Sequence, residues 1–525
     1  MKKTVRILSL MLALLMILGA LVACGGDKDP VDTKNTYTPD ADQNLTDNSK
    51  WDGVNFRGEE IIVGINETMN AHLTSAGAPN AVLYIQGPDI YTTDFVQNAV
   101  YDRNIKVTNA LGINPKYVYV DYSSGSGIEY QAELIENYVL SDLDDSPDLV
   151  SWSGYGLVRA GIKGQLYNAL TTDEKANYFD ISLDNGWYSD FMYENTLDES
   201  KLFLLAGDYF VDILRYAMGV MINIDMYNDL FASEGGIESL YETVESGDWD
   251  YDELERAAAA AHVDSGIIGS ADDADTFGIV SSDSWFVRGL FSSAGFDVFE
   301  EKDGKISYIQ DIGEIHTFVD KLIEIAYADY TKNPFPPRSV SYAETETFAR
   351  KNALFALDTP LLTFEGTLVR NMDQKVGILP YPKYYDDTPY KALVLDAANI
   401  GGILYNSDKF APCSAFLQLM SEESNGGSGT VIYEYYEMAL KYKYTVDPGQ
   451  IRMLEIIREG VCSPKATLYD NYIANTAGGG SLQYRKVIEK SLNANSNTFA
   501  SDWQSQRDTV QRRLEEVQAT FGDQK

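Results

Sequence analysis

The side chains whose types and spacing could do chemistry are carboxylates and the aromatic rings that stand close to them. Two carboxyls at a set separation can cleave a glycosidic bond, whereas a ring beside a carboxylate can hold a hydroxylated ligand without reacting with it. The 525-residue chain carries 79 Asp and Glu, so carboxylates near rings arise by chance, and Asp208 with Asp283 is no sign of hydrolysis. No Gly-x-Ser-x-Gly elbow, phosphate-binding glycine loop or His-Glu-x-x-His helix occurs. Asp273-x-Asp275-x-Phe277-Gly278 approaches a calcium loop, but its third ligand is missing and Ser284 stands where the closing Glu belongs. His72, His262 and His316 lie far apart, with no second His or Cys at zinc-ligand spacing. The pattern predicts neither catalysis nor a metal or organic cofactor, and it leaves binding.

One ring is singled out by position. Pro147-Asp148-Leu149-Val150 reads as the start of a strand that runs into Ser151-Trp152-Ser153-Gly154-Tyr155-Gly156. Ligands of open α/β sheets bind at the carboxyl ends of strands, so an indole in a Ser/Gly loop there offers a stacking face; the alternative is an indole that covers the sheet edge. The elements around it alternate. Ile61 to Ile65 is a β-branched strand, Asp94 to Leu111 a helix stopped by Gly112, Tyr117 to Val120 a strand and Ile128 to Leu140 a helix. Such alternation predicts a parallel α/β sheet. Farther on, Tyr216 to Ile224 is an apolar strand long enough to cross between lobes, and Asp250 with Glu253 forms a capping box beside a packed Trp249. The strand ending at Leu357 is followed by Asp358-Thr359-Pro360, Phe296 to Tyr308 reads as a hairpin turning at Asp303-Gly304, and Ser501 to Phe521 is a final helix.

Length and charge bound the rest. The chain is too long for one ordinary core, and 45% apolar residues with 36 Tyr and 21 Phe are ample for packing. A net charge of −38 repels phosphate backbones and excludes nucleic acid as a partner. Lys2, Lys3 and Arg6 precede an uncharged run from Ile7 to Ala23, the layout of a secretory leader. Leu21-Val22-Ala23-Cys24 resembles a bacterial lipobox, which implies cleavage before Cys24 and lipidation of its thiol. Residues 24–55, rich in Asp, Asn, Thr and Pro, are expected to be a tether, with folding from about Phe56. Cys413 and Cys462 could pair in an oxidising compartment, which sequence spacing does not decide; the expectation is two buried thiols.

Several segments in order carry a resemblance to a known family: Tyr101 to Ile113, Pro147 to Leu170, Lys201 to Phe231, Leu240 to Leu254, Asn352 to Pro360, Val376 to Lys383, Phe416 to Ser424 and Val431 to Tyr444. Together they resemble the extracellular solute-binding proteins of the family-1 (sugar) class, the capture component of an ABC importer. The resemblance implies an α/β, two-lobe periplasmic-binding-protein-like fold of the type II, maltodextrin-binding-like kind, with a hinge and an interlobe cleft. Lobe 1 would span 56–215 and 390–425, and lobe 2 would span 216–389 and 426–525. It implies ligand contacts from Trp152, Tyr155, Asp208, Tyr209, Asp212, Asp283, Trp285, Asp358 and Asp396; Asp283 and Trp285 keep the acid-x-aromatic spacing of maltodextrin-type relatives. The expected protein is a monomer, anchored through Cys24 to the outer face of a bacterial cytoplasmic membrane, that passes a mono- or oligosaccharide to a permease. The rival readings are a lipoprotein of the same fold acting as a sensor or interaction partner, and one that binds a non-sugar solute such as a peptide.

Overall fold

The computed structural model describes residues 48–66, 82–120, 127–141, 146–171, 177–268, 274–302, 305–335, 347–366, 369, 371–395, 398–440, 448–462, 464–465, 467–478 and 483–522. Residues 49–525 form one compact unit. Its strands are β1 (Glu59–Asn66), β2 (Ile113–Val120), β3 (Leu149–Ser153), β4 (Met218–Asn223), β5 (Phe277–Val280), β6 (Phe299–Lys302), β7 (Lys305–Tyr308), β8 (Thr331–Lys332), β9 (Ala353–Pro360), β10 (Val376–Leu379), β11 (Ala392–Leu393), β12 (Asn399–Ile403) and β13 (Val461–Cys462). The helices that matter here are α1 (Phe95–Leu111), α2 (Gly127–Ser141), α3 (Gly154–Ile162), α4 (Asp212–Arg215), α5 (Tyr251–Ala261), α6 (Asp283–Ser293), α7 (Phe410–Ser424), α8 (Val431–Leu440), α9 (Pro448–Glu459), α10 (Thr467–Gly478) and α11 (Phe499–Gly522).

Two sheets result. The first has the order β12-β3-β1-β2, with β1 parallel to both neighbours and β12 antiparallel to β3. The second has the order β10-β4-β9-β5-β8, in which β9, β5 and β8 are parallel and β4 opposes β9 and β10. Every residue of β3, β4, β5 and β12 is buried, as continuous apolar strands covered on both faces must be. Local signals set the elements between them. Asp94 caps α1 by accepting from the Gln97 N–H at 3.0 Å, and Gly112 ends the helix at φ +59°, where its N–H reaches the Thr108 carbonyl. Trp249 is fully buried, and its indole N–H donates to the Pro380 carbonyl at 2.9 Å. Cys413 and Cys462 are both buried and free.

The structure departs from expectation at four points. No loop follows β3: the chain passes from Ser153 directly into α3, so Trp152 is a strand residue. Asp358 lies inside β9, because that strand stays paired with β4 as far as Pro360 opposite Met218. Packing begins before Phe56, since Trp51 is buried, donates to Glu422 at 2.9 Å and stacks on Tyr178. Only half the capping box forms. Asp250 accepts from the Glu253 N–H at 2.8 Å, but the Glu253 carboxylate takes Arg256 instead, at 2.7 Å through both oxygens. Asp250→Ala is therefore expected to cost about 1 kcal/mol in urea unfolding, and Glu253→Gln much less, since its partner is an exposed arginine. The β6–β7 hairpin pairs Lys302 with Lys305, and its turn at Asp303-Gly304 lies outside the described residues. Among the described residues no helix is long and apolar enough to cross a membrane.

Candidate functional site

The carboxyl ends of both sheets are tied to one seam by a short helix. On the first sheet β1 ends at Asn66, β3 ends at Ser153, and antiparallel β12 begins opposite Ser153 at Asn399. On the second, β5 ends at Val280 just before Ser282, the residue preceding α6, and β9 carries Asp358. Helix α4 joins the two. Asp212 accepts from the Asn399 backbone and side-chain N–H groups, both at 2.9 Å, and from Arg215 at 2.8 Å. Arg215 also grips Glu365, in the turn after β9, through Nε and Nη2 at 2.8 Å each. The Leu361 N–H closes the seam on the Ala217 carbonyl at 3.0 Å.

Polar atoms are left over at these strand ends. Asn66 Oδ1, Trp152 Nε1, Ser153 Oγ and Asn399 Oδ1 on the first sheet, and Ser282 Oγ and Asp358 Oδ1 on the second, are buried with no hydrogen-bond partner among the described residues. An unmade buried hydrogen bond costs about 1–3 kcal/mol, so these strand ends carry polar groups that the described residues leave unsatisfied. Trp152 and Ser153, being successive in a strand, face opposite sides of the sheet, so the orphans flank the strand end on both faces. Asp358 accepts from the Ser282 N–H at 3.0 Å. Burial raises its pKa above the ordinary carboxylate value, and the Ser282 N–H opposes the rise.

Two of the expected residues are linked through a third. Tyr155 stands on α3 and Trp285 on α6, and Arg288 joins them: its guanidinium lies 4.8 Å from the centre of the Trp285 ring, and its Nη2 donates to the Tyr155 hydroxyl at 3.3 Å. Burial lowers the Arg288 pKa, against the pull of Tyr484, Glu489 and Asp470. Sequence reading missed Arg288, although a residue three positions beyond Trp285 on a helix shares its face.

The remaining expected residues have other surroundings. Asp208 is fully buried, pairs with Arg458 at 2.5 Å and accepts from the Tyr188 hydroxyl at 2.7 Å. Tyr209 is buried, and its hydroxyl donates to the Leu205 carbonyl at 2.9 Å. Asp212 is fully buried in the seam, where burial raises its pKa and Arg215 and Asn399 lower it. These three side chains are thus engaged inside the protein rather than facing solvent. Trp152 is fully buried, with its indole nitrogen among the orphans. Asp283 opens α6, and its side chain is not among those described; Asp396, His72 and Cys24 lie outside the described residues. Among the described residues no group of three His, Cys, Asp or Glu is arranged to hold a metal ion.

No family model matches the sequence, and no curated protein matches it. Solved structures do match in fold. One, a cyclo/maltodextrin-binding protein complexed with maltotetraose, is similar at 13% identity and a TM-score of 0.51, over 89% of this chain and 97% of that one. Another, the maltose/maltodextrin-binding domain MalE from Bdellovibrio bacteriovorus bound to maltotriose, is 11% identical with a TM-score of 0.48, over 88% of this chain and 100% of that one. The mixed α/β chain therefore has a two-lobe, periplasmic-binding-like fold.

Proposed function

We propose that the protein is a solute-binding protein that captures a carbohydrate between its lobes, is held by a lipidated Cys24 on the outer face of the cytoplasmic membrane, and hands its ligand to an ABC importer. The observation that carries the capture reading is the pairing of Tyr155 and Trp285 through Arg288, beside unpartnered polar atoms at the ends of both sheets. Aromatic faces and desolvated hydrogen-bonding groups are what a pyranose needs. The maltotetraose in the structure of similar fold supports the same class of ligand. A non-enzymatic role is supported by the carboxylates: Asp208 and Asp212 are taken up by arginines, so neither is poised to move a proton. Ligand contacts from both lobes would favour the closed state, and closure is what a permease would read.

The test is thermal unfolding of the chain lacking residues 1–48 against mono- and oligosaccharides, amino acids and peptides. A ligand at ~100 times its Kd adds about 2.7 kcal/mol to the folded state. A maltodextrin or other sugar is expected to raise the midpoint, and Trp285→Ala to reduce its affinity at least tenfold. If only a peptide or amino acid raises the midpoint, the sugar assignment fails; if nothing does, so does capture.

A further inference from the structure

A recess of about 130 Å3 lies between the end of α7, one face of α8 and one face of α9, lined by Asn425, Ile432, Tyr436, Ile451, Glu455 and Arg458 among others. Two hydrogen-bonding groups on its wall have no partner among the described residues. The Tyr436 side chain is 6% exposed and its hydroxyl is unpaired; Arg458 Nε is buried and unpaired. The guanidinium is held in place. Nη2 of Arg458 is committed to Asp208 at 2.5 Å and to Asn425 Oδ1 at 3.4 Å, and the guanidinium lies 5.8 Å from the Tyr188 ring centre. Because the guanidinium is planar, anchoring that edge fixes where the Nε proton points. Burial raises the Tyr436 pKa, Arg458 opposes the rise, and Asp208, Glu455 and Glu459 add to it, so the phenol stays a hydroxyl at neutral pH.

The charge around the recess says what can enter. The one guanidinium is neutralised by buried Asp208, and Glu437 and Glu455 add negative charge to the wall, so an anion would be repelled. Ile432 and Ile451 supply apolar surface, Arg458 Nε a donor, the Tyr436 hydroxyl a donor or acceptor, and the carboxylates acceptors. A cavity of about 150 Å3 takes one benzene, so a recess of about 130 Å3 suits a polyol of three or four carbons and not a disaccharide. From this combination we propose that the recess is a second binding site, separate from the interlobe cleft, for a small neutral polyhydroxylated molecule.

Its location makes it an effector site. Helix α7 packs on β1 and α1 of the first lobe, whereas α9 packs on β10 of the second, where Gln450 Oε1 accepts from the Ile378 N–H at 2.7 Å. A change in the angle between the lobes moves one wall of the recess relative to the other. Occupancy and lobe closure are then coupled, and by linkage each alters the other to the same degree.

The experiment uses saturation-transfer NMR with erythritol as probe and acetate as its anionic counterpart, on the chain lacking residues 1–48. Erythritol is expected to receive saturation from the parent protein and from Trp285→Ala, in which the recess is untouched. Tyr436→Phe removes only the hydroxyl and should weaken binding at least tenfold, and Ile451→Phe, which fills the space, should abolish it; circular dichroism checks that both variants are folded. The proposal is overturned if erythritol shows no transfer with the parent protein, meaning that the recess holds water only. It is equally overturned if neither recess variant changes the signal, if Trp285→Ala abolishes it, or if acetate displaces the probe.

Discussion

Arg215→Met is expected to lower the stability of the folded chain by about 3–5 kcal/mol, the cost of leaving buried carboxylates without their cation. Arg215, Asp212 and Glu365 are all fully buried. The guanidinium holds Asp212 through Nη1 and Glu365 through Nε and Nη2 while lying 4.4 Å from the centre of the Tyr84 ring, and Tyr435 donates to Glu365 at 2.9 Å. Burial alone would lower the Arg215 pKa, but Glu365, Tyr84 and Asp212 more than offset it and hold it well above its ordinary value. Methionine fills similar volume, so the loss is electrostatic rather than a cavity. Urea unfolding of the parent, Arg215→Met, Glu365→Gln and the double variant reads the effect. The double variant should be less destabilised than the sum of the singles, because the neutral amide that replaces the Glu365 carboxylate no longer needs the cation. A single-variant loss under about 1 kcal/mol, the scale of an exposed ion pair, would show that the seam tolerates the bare charges and that the cluster does not hold the sheets' carboxyl ends together.

Local signals are legible in the sequence and long-range pairings are not. The stop at Gly112 and the alternation of apolar strands with helices each act over a few residues, and each appears where the spacing places it. The strand-to-helix passage at Ser153-Gly154 reads as a loop because Ser and Gly mark turns in general, and nothing local shows that a helix follows at once. The same limit governs the site. Tyr155 and Trp285 stand out by strand-end position and by the acid-x-aromatic spacing; Arg288 shares the Trp285 face three residues on, but its bond to Tyr155 spans 133 residues and no local pattern announces it. Asp208 passes for a ligand acceptor because its partner, Arg458, is 250 residues away and no local pattern announces it. Asp212 is different, since Arg215 sits three residues on along the same helix and that pairing is there to be read.

Asp470 supplies the second large effect, and it is a dependence on pH. The carboxyl lies on α10, 3% exposed; burial pushes its pKa up from 3.8 to about 7, opposed by the Tyr484 N–H and by Arg288 and Arg485. A raised folded-state pKa means that the folded chain binds this proton more tightly than the unfolded one. Between about pH 4 and pH 7 the folded state therefore holds more protons, and this group's contribution to stability falls as pH rises, levelling off above about 7. At about 1.4 kcal/mol per pKa unit the full fall is about 4 kcal/mol. Asp470→Asn is neutral at every pH and should cancel that slope. The stability difference between Asp470→Asn and the parent, measured by urea unfolding from about pH 4 to about pH 8, is expected to grow by about this amount in favour of the variant. Other titrating groups drop out of the difference, so a flat line across the range would place the Asp470 pKa near its unfolded value. The charge that appears on Asp470 near pH 7 also acts on Arg288, the residue between Tyr155 and Trp285, so ligand affinity should follow the same titration in the parent and lose it in the variant.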